Sequence, residues 1–294
     1  MPTQAAVARV DLVQRAPSRS AARPSPIVKW VGGKGRLMGQ LSPLMPSGVQ
    51  HMRHVEPFAG GAAMFFARSP ERALLQDVNP SLVHTYRMVR DDVDSVIAHL
   101  EPLAAGHGKE RYYEIRTRYN ATRHADPGPE RAAMFIYLNK TCFNGLHREN
   151  KKGEFNVPAG RYKKPRILDP EGLYAASGAL ANAHIENASF ESLLENARPG
   201  DFVYLDPPYE PVSRTSNFTG YTRGGFSQED QTRLRDVFDA LTRRGCKCML
   251  SNSDVPFIRE LYRKHNIDVV AAARAINCNA KKRGLVSEVV VRNY

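Results

Sequence analysis

The chain has 294 residues, and 42% of them are hydrophobic, which is ordinary for a globular protein with a substantial core. No stretch approaches the roughly 18 uninterrupted apolar residues of a membrane helix, so we expect no membrane association. The formal net charge of +12 favours a polyanionic partner, because neutralising phosphates releases counterions. The four cysteines lack the paired CxxC spacing of a zinc site, which indicates reduced thiols and no metal.

Residues 1–26 are basic, rich in Ala, Ser and Pro, and contain a single acidic residue. Pro17, Pro24 and Pro26 break any long amphipathic helix, so a disordered basic tail is favoured over a transit peptide. We therefore expect ordered sequence from about Ile27.

Short apolar runs flanked by turn residues predict the strands of an α/β sheet, because helical patterns lie between them. The clearest helix covers residues 227–243, with Ser227 and Asp230 forming its N-terminal cap. Residues 80–168 differ, being helical first and then polar, basic and rich in Gly and Pro, so we predict an insert between the sheet halves. The predicted strands lie around residue 55 and at residues 74–76, 202–205, 248–250, 269–271 and 289–291.

The sequence Asp206-Pro207-Pro208-Tyr209 directly follows the apolar run 202–205, which places it at the carboxyl end of a buried strand, where α/β sheets bind ligands. Two prolines stiffen the loop and leave its carbonyls free to accept. A flat base with an amino group fits this loop: the amine donates to Asp206 and the Pro207 carbonyl, and Tyr209 stacks on the ring. The alternative is a Pro-Pro turn that ends a strand, with Asp206 as a capping residue.

This loop chemistry suits the N6 amine of adenine, whose lone pair is delocalised into the ring and is therefore a poor nucleophile. Two acceptors on the amine hydrogens favour a pyramidal nitrogen that attacks a sulfonium methyl group. The same acceptors stabilise the charge that develops on nitrogen, and no metal is required.

Two glycine-rich segments predict small-molecule contacts. The turn at residues 56–62 follows a short strand, so its glycines let a cofactor approach the backbone, and Asp77 at the tip of the next strand suits ribose hydroxyls. Strict GxGxxG spacing is absent, and a bare glycine turn with a surface Asp is the alternative. Residues 29–35 contain three glycines and Trp30, the only tryptophan, but they fail the P-loop pattern at Val28 and Gly35.

Residues 139–166 combine basic side chains with Phe143, Phe155 and Tyr162, a mixture expected where phosphates are gripped and bases are read or wedged apart. A solvated charged loop is the alternative. The basic residues include Arg148, Lys151, Lys152, Arg161, Lys163, Lys164 and Arg166.

In their order along the chain, these features resemble the Dam-type family of DNA adenine-N6 methyltransferases. The resemblance covers most of residues 27–294 and implies a Rossmann-like sheet of residues 27–79 and 169–294, with a mainly helical target-recognition domain inserted at residues 80–168. It rests on Lys29-Trp30-x-Gly-Gly-Lys34, Glu56-Pro57-Phe58-x-Gly60, Asp77-Val78-Asn79, Asn144-Gly145-Leu146-His147-Arg148, Gly153-Glu154-Phe155-Asn156-Val157-Pro158, Asp206-Pro207-Pro208-Tyr209, Ser216-Asn217-Phe218-Thr219-x-Tyr221, Phe226, Leu250-Ser251-Asn252, Glu288 and Asn293-Tyr294.

The resemblance implies methyl transfer from S-adenosylmethionine to N6 of a flipped adenine in double-stranded DNA, within GATC, where Arg148 reads a guanine. His147, Glu149 and Asn150 differ from relatives, and Phe143 stands where some members carry tyrosine. Catalytic roles fall on Asp206, Pro207, Pro208 and Tyr209. Cofactor binding falls on Trp30, Lys34, Phe58, Gly60, Asp77 and Asp206, and DNA binding on Lys29, Phe143, Asn144, Leu146, Arg148, Pro158, Arg161, Lys163 and Lys164.

Two other hypotheses remain open. In the first, a protein with the same fold methylates N4 of cytosine or an amide of a protein. In the second, the protein is a catalytically silent regulator that binds DNA. The Asp at position 206 and the basic insert favour adenine in DNA, and the intact Asp-Pro-Pro-Tyr loop opposes a silent protein. We expect a monomer, with a dimer on DNA as the alternative. We expect the protein to act in a prokaryotic cytoplasm or nucleoid, or to be encoded by a phage.

Overall fold

Seven strands form one sheet in the described part of the computed structural model, which comprises residues 22–123, 127–212, 225–273 and 285–294. The strands are β1 (His54–Glu56), β2 (Ala73–Asp77), β3 (Ala183–Asn187), β4 (Phe202–Leu205), β5 (Lys247–Ser253), β6 (Asn266–Ala273) and β7 (Leu285–Arg292). Their order across the sheet is β3-β2-β1-β4-β5-β7-β6. Strands β1 to β5 are parallel, and β7 pairs antiparallel with both β5 and β6.

All six predicted strands are confirmed, and the sequence prediction missed only β3 among the described strands. This strand lies at the sheet edge and alternates buried Ala183 and Ile185 with exposed His184. Because one face is open to solvent, the strand lacks the continuous apolar run that marks a strand covered on both faces. Period-two alternation over five residues was the available signal.

The helix predicted at residues 227–243 is confirmed, with a capping box formed by Ser227 and Asp230. None of the described helices is long and apolar enough to cross a membrane. The helices are α1 (Met38–Leu41), α2 (Ala63–Arg68), α3 (Pro80–Asp91), α4 (Val93–Ala105), α5 (Lys109–Ala121), α6 (Pro129–Thr141), α7 (Pro170–Leu180), α8 (Leu193–Asn196), α9 (Gln228–Arg243) and α10 (Pro256–Leu261).

Hydrophobic clusters cover both faces of the sheet. On one face, Val203 and Leu250 pack with residues of α8, α9 and α10. On the other face, Leu75 and Ile185 join a continuous cluster that includes residues of α2 to α7, and α1 covers the β4 to β7 half through Leu41. The expected Rossmann-like α/β sheet is therefore confirmed, and helices fill the first part of the segment at residues 80–168.

The limits of the predicted target-recognition domain stay a prediction, since α3 to α6 share their core with the sheet. Three further features lie outside the described residues. They are residues 1–21 of the predicted tail, the motif at residues 216–221, and Cys278.

A buried ion pair joins the amino ends of β1 and β4, on the side of the sheet away from the Asp-Pro-Pro-Tyr loop. Arg53 Nε and Nη2 lie 2.9 and 2.5 Å from the two oxygens of Asp201, which is 4% exposed. Replacing Asp201 by Ala leaves the half-buried Arg53 guanidinium without its carboxylate and with only the Asn196 carbonyl as a partner, so we expect the free energy of unfolding to fall by about 3 kcal/mol. Urea denaturation measures this loss.

The matched control is Asp91→Ala, which removes the partner of Arg90 from a pair whose carboxylate is 49% exposed. Its expected cost is within about 1 kcal/mol, because solvent screens exposed pairs. Equal losses in the two variants would show that the Arg53 pair does not stabilise the sheet.

Candidate active site

Three acidic residues lie at the carboxyl edge of adjacent strands. Glu56 ends β1, Asp77 ends β2 and Asp206 follows β4, and these strands are parallel neighbours. The carboxyl ends of parallel strands are the usual ligand-binding edge of such a sheet. No cluster of three or more His, Cys, Asp or Glu side chains that could hold a metal ion occurs within the described ranges.

Asp77 is fixed by the glycine turn and by the residues that follow it. Its Oδ2 accepts from the Gly60 backbone N–H at 2.9 Å, and its Oδ1 accepts from the Asn79 N–H at 2.9 Å. Burial raises the pKa of Asp77, and these backbone donors oppose the rise. Gly60 has a φ of +47°, and a Cβ there would lie 2.6 Å from Trp30 Cδ1, so only glycine lets Trp30 pack over the turn.

The segment that contains Trp30 also contains Lys34, whose side chain contacts the Asp-Pro-Pro-Tyr loop. The Gly33 N–H donates to the Trp30 carbonyl at 3.1 Å and closes a turn. Lys34 follows, and its Nζ donates to the Gly32 carbonyl at 2.6 Å and lies 2.7 Å from Asp206 Oδ1. Lys34 is only 4% exposed, so this contact is a shielded ion pair.

Asp206 titrates far from the usual range of a carboxyl group. Burial raises its pKa to about 6, Lys34 opposes the rise, and the carboxylates of Glu288 and Glu56 add to it. A carboxyl that titrates near neutral pH in a cleft is a candidate functional group.

The two proline carbonyls of the loop differ. The Pro208 carbonyl, which we expected to be free, accepts from Gln231 Nε2 at 3.0 Å. Pro207 is buried, and within the described residues no donor is bonded to its carbonyl. The Tyr209 hydroxyl donates to Glu288 Oε2 at 2.7 Å, and Lys34 Nζ lies 4.8 Å from the centre of the Tyr209 ring.

Sequence reasoning missed the side chains that support this loop. Asn252 of β5 accepts from the Glu210 N–H at 3.1 Å and donates to Gln231 Oε1 at 3.1 Å. Gln231 is fully buried on the face of α9 that carries Leu234 and Phe238. Gln231 could have been found from the sequence, because it is a polar residue at a position on the apolar face of the predicted helix. A polar side chain buried there needs a hydrogen-bond partner.

The ring contacts of Phe58 are made with residues other than Trp30 and Lys34. Its ring stacks on Phe190 at 5.5 Å and meets Phe226 edge-on at 5.9 Å. This aromatic trio lies on the α9 side of the sheet. The contribution of Phe58 to a cofactor pocket therefore stays a prediction.

Apart from Lys29, the residues predicted to contact DNA lie after α6, on a hairpin of residues 142–159 or directly after it. Bridges between Cys142 and Ala159 and between Glu149 and Phe155 hold its two arms. Arg148 is exposed, and its Nε donates to Asn156 Oδ1 at 2.7 Å, which orients the guanidinium. The other predicted residues are exposed Phe143, Asn144 with a φ of +55°, half-buried Leu146, and exposed Pro158, Arg161, Lys163 and Lys164.

Lys29 lies against this hairpin and precedes Trp30 in the chain. Its N–H donates to Asn139 Oδ1 at 2.7 Å, and its carbonyl accepts from Asn139 Nδ2 at 2.8 Å. Its Nζ lies 4.0 Å from the centre of the Tyr162 ring. Gly145 leaves room for Lys29, since a Cβ at that position would lie 2.5 Å from Lys29 Cβ. The segment from Lys29 to Lys34 thus runs from the hairpin to Asp206.

Comparison with known proteins agrees with this arrangement. Residues 30–276 match the model of the D12 class N6 adenine-specific DNA methyltransferase family. The type II methyltransferase M1.LlaDCHI of Lactococcus lactis subsp. cremoris is 42% identical over 92% of this chain and 95% of its own length. The type II methyltransferase M.MjaIII of Methanocaldococcus jannaschii is 40% identical over 92% of this chain and 99% of its own.

A DNA adenine methylase of Vibrio cholerae serotype O1 is 36% identical over 90% of this chain and 94% of its own length. The family match covers β1 to β6, the helical segment and the hairpin. The resemblance noted from the sequence is thereby confirmed. The chain belongs to the D12 class of N6 adenine-specific DNA methyltransferases and is an adenine-specific DNA methyltransferase.

Proposed function

We propose that this methyltransferase takes its methyl group from S-adenosylmethionine, flips the target adenine out of duplex DNA and acts within GATC. The observation that carries the proposal is the pair of acceptors beside Lys34: the Asp206 carboxylate and the Pro207 carbonyl. Asp206 is half-buried at the sheet edge, where an adenine stacked inside a duplex cannot reach it.

The residues at this edge fit S-adenosylmethionine. Asp77 uses one lone pair on each oxygen for the Gly60 and Asn79 backbone donors, which leaves further lone pairs to accept from ribose hydroxyls. Trp30 over Gly60 offers an apolar wall where the backbone can be approached closely. The cofactor supplies an electrophilic methyl group on a positively charged sulfur, and the carboxylates of Asp77 and Asp206 complement that charge. We assign its binding to Trp30, Lys34, Phe58, Gly60, Asp77 and Asp206.

Asp206 and Pro207 activate the adenine amine. Lys34 contacts only Asp206 Oδ1, so the carboxylate keeps lone pairs that accept one N6 hydrogen, and the Pro207 carbonyl accepts the other. Held in this way, the N6 lone pair would point toward the methyl group that bound S-adenosylmethionine would supply. One N6 proton then leaves through Asp206 to solvent, since a carboxyl with a pKa of about 6 readily releases it.

Tyr209 and Pro208 orient the base in this proposal. The hydrogen bond from the Tyr209 hydroxyl to Glu288 fixes the plane of the ring, so its free face is ready to stack on adenine. The bond from Gln231 to the Pro208 carbonyl fixes the loop from α9. In this proposal Arg148, which is exposed and oriented by Asn156, reads a guanine in the major groove.

Asp206→Asn should abolish methyl transfer, because the amide loses the charge and one acceptor that the N6 amine requires. Removing one preorganised electrostatic group typically lowers kcat by about 100- to 1000-fold. The measurement is transfer of labelled methyl from S-adenosylmethionine to plasmid DNA. Asp268→Asn, in the remote pair with Arg292, is the control and should keep full activity. Undiminished transfer by Asp206→Asn would refute the role of the carboxylate.

The activity should fall at acid pH through protonation of Asp206. A pKa raised to about 6 means that the accepting carboxylate is present above pH 6 and lost below it, so kcat/KM should rise with pH and level off above about 7. Lys34 lowers that pKa, so Lys34→Met should move the acid limb to higher pH. Lys163→Met is the control and should leave the limb in place. An unchanged limb in Lys34→Met would contradict the coupling of the two groups.

Arg148→Ala should relax target choice at one base. Losing a bidentate arginine–guanine contact costs about 1–3 kcal/mol of discrimination. Lys163→Ala is the contrast and should weaken binding to all sequences alike and flatten the salt dependence. Mapping methylated bases on mixed-sequence DNA measures both effects. Wild-type methylation confined to adenines outside GATC would refute the proposed site, and N4-methylcytosine in the product would refute the proposed acceptor.

A further inference from the structure

A buried histidine of the hairpin packs against the residues proposed to bind the cofactor. The His147 side chain is 6% exposed and its ring stacks on Trp30, with 5.7 Å between ring centres and 23° between planes. Phe135 of α6 and Phe155 of the hairpin enclose it, each at 5.6 Å. His147 also immediately precedes Arg148 in the chain. It therefore adjoins both Trp30, which we assign to the cofactor, and Arg148, which we assign to DNA.

One ring nitrogen of His147 is bound to the loop that holds Asp77. Asn79 Oδ1 accepts from the Leu82 N–H at 3.0 Å, which directs the amide nitrogen at His147 Nδ1, 3.2 Å away. Because an amide nitrogen only donates, His147 Nδ1 accepts and the proton lies on Nε2. Burial lowers the pKa of His147 to about 4, so the ring is neutral at physiological pH.

The other ring nitrogen has no hydrogen-bond partner among the described residues. His147 Nε2 is buried, and Glu149 Oε1 lies 3.7 Å away, beyond hydrogen-bond distance. A buried N–H without a hydrogen-bond partner is unfavourable, so a small shift of Glu149 toward the ring would relieve that cost. Glu149 directly follows Arg148 on the hairpin, so a shift of the Arg148 backbone on contact with DNA would also move Glu149.

We propose that His147 is a positioning residue that couples the two sites: when DNA engages Arg148, Glu149 closes on His147 Nε2, and Trp30 and Asn79 are held for the cofactor. DNA and cofactor then tighten each other's binding, since such coupling is reciprocal. This inference rests on the proposed roles of Arg148, Trp30 and Asp77. It assigns a function to His147 that neither site requires alone.

The test uses Trp30, which is the only tryptophan of the chain and therefore its fluorescent reporter. The affinity for S-adenosylhomocysteine, which cannot react, is titrated without DNA and with a saturating GATC duplex. The ratio of the two dissociation constants is the coupling factor, and we expect about fivefold or more in the wild type. In His147→Phe, which keeps the stacked ring and loses both nitrogens, the factor should fall toward one.

Two further variants separate coupling from packing. Glu149→Ala changes an exposed side chain, leaves the core intact and should also bring the factor toward one, whereas Glu149→Gln keeps an acceptor oxygen and should restore it. Tyr112→Phe removes the hydrogen bond to the Val157 carbonyl, which anchors the same hairpin away from His147, and should leave the factor unchanged.

Each outcome decides the inference. A factor preserved in both His147→Phe and Glu149→Ala overturns it, as does a wild-type factor of one or an equal loss in Tyr112→Phe. Failure of the proposed function looks different, because the wild type would then show no change of Trp30 fluorescence with S-adenosylhomocysteine. Loss of coupling in the His147 and Glu149 variants, with Tyr112→Phe unaffected, supports the inference.

Discussion

The ion pair between Lys34 and Asp206 is the contact on which the rest of the site depends. It joins a segment that precedes the sheet to the loop that follows β4, and it is nearly closed to solvent. Desolvation makes such a pair a poor source of stability, because the cost of removing two charges from water offsets much of their attraction. Its value lies in the carboxyl group, which the lysine keeps ionised against burial and against the carboxylates of Glu56 and Glu288.

The sheet topology explains how the loop is supported. The antiparallel insertion of β7 beside β5 pairs Ser253 with Glu288 and so brings a carboxylate to the Tyr209 hydroxyl. From β5 itself, Asn252 reaches both the loop backbone and Gln231. The loop is therefore fixed by two strands and a helix, which is the rigidity that a preorganised pair of acceptors requires. A loop held only by its prolines would keep its own shape but not its position.

Features that depend on a local sequence pattern were predicted from the sequence. Features that depend on contacts between residues far apart in the chain were not. Apolar runs marked six strands, including the edge strand β6, whose exposed face carries the apolar Val269 and Ala271. Ser227 marked the start of α9, because helix capping leaves a local signature. The edge strand β3 left only a weak alternation. No role was predicted for Gln231 or His147 for another reason: their hydrogen-bond partners Asn252 and Asn79 lie 21 and 68 positions away, and no spacing in the sequence indicates such contacts.

The segment from Lys29 to Lys34 shows why the two halves of the site are not independent. Six residues carry a lysine held by Asn139 and the hairpin, a tryptophan packed on Gly60, and the lysine that pairs with Asp206. A displacement of the hairpin that moves Lys29 therefore also moves Trp30, and it reaches Lys34 unless the turn at Gly33 absorbs it. That turn is itself closed by the hydrogen bond from the Gly33 N–H to the Trp30 carbonyl. In the proposed function, target recognition and cofactor binding therefore share one short stretch of backbone, and discrimination between DNA sequences affects the methyl-transfer step as well as the affinity for DNA.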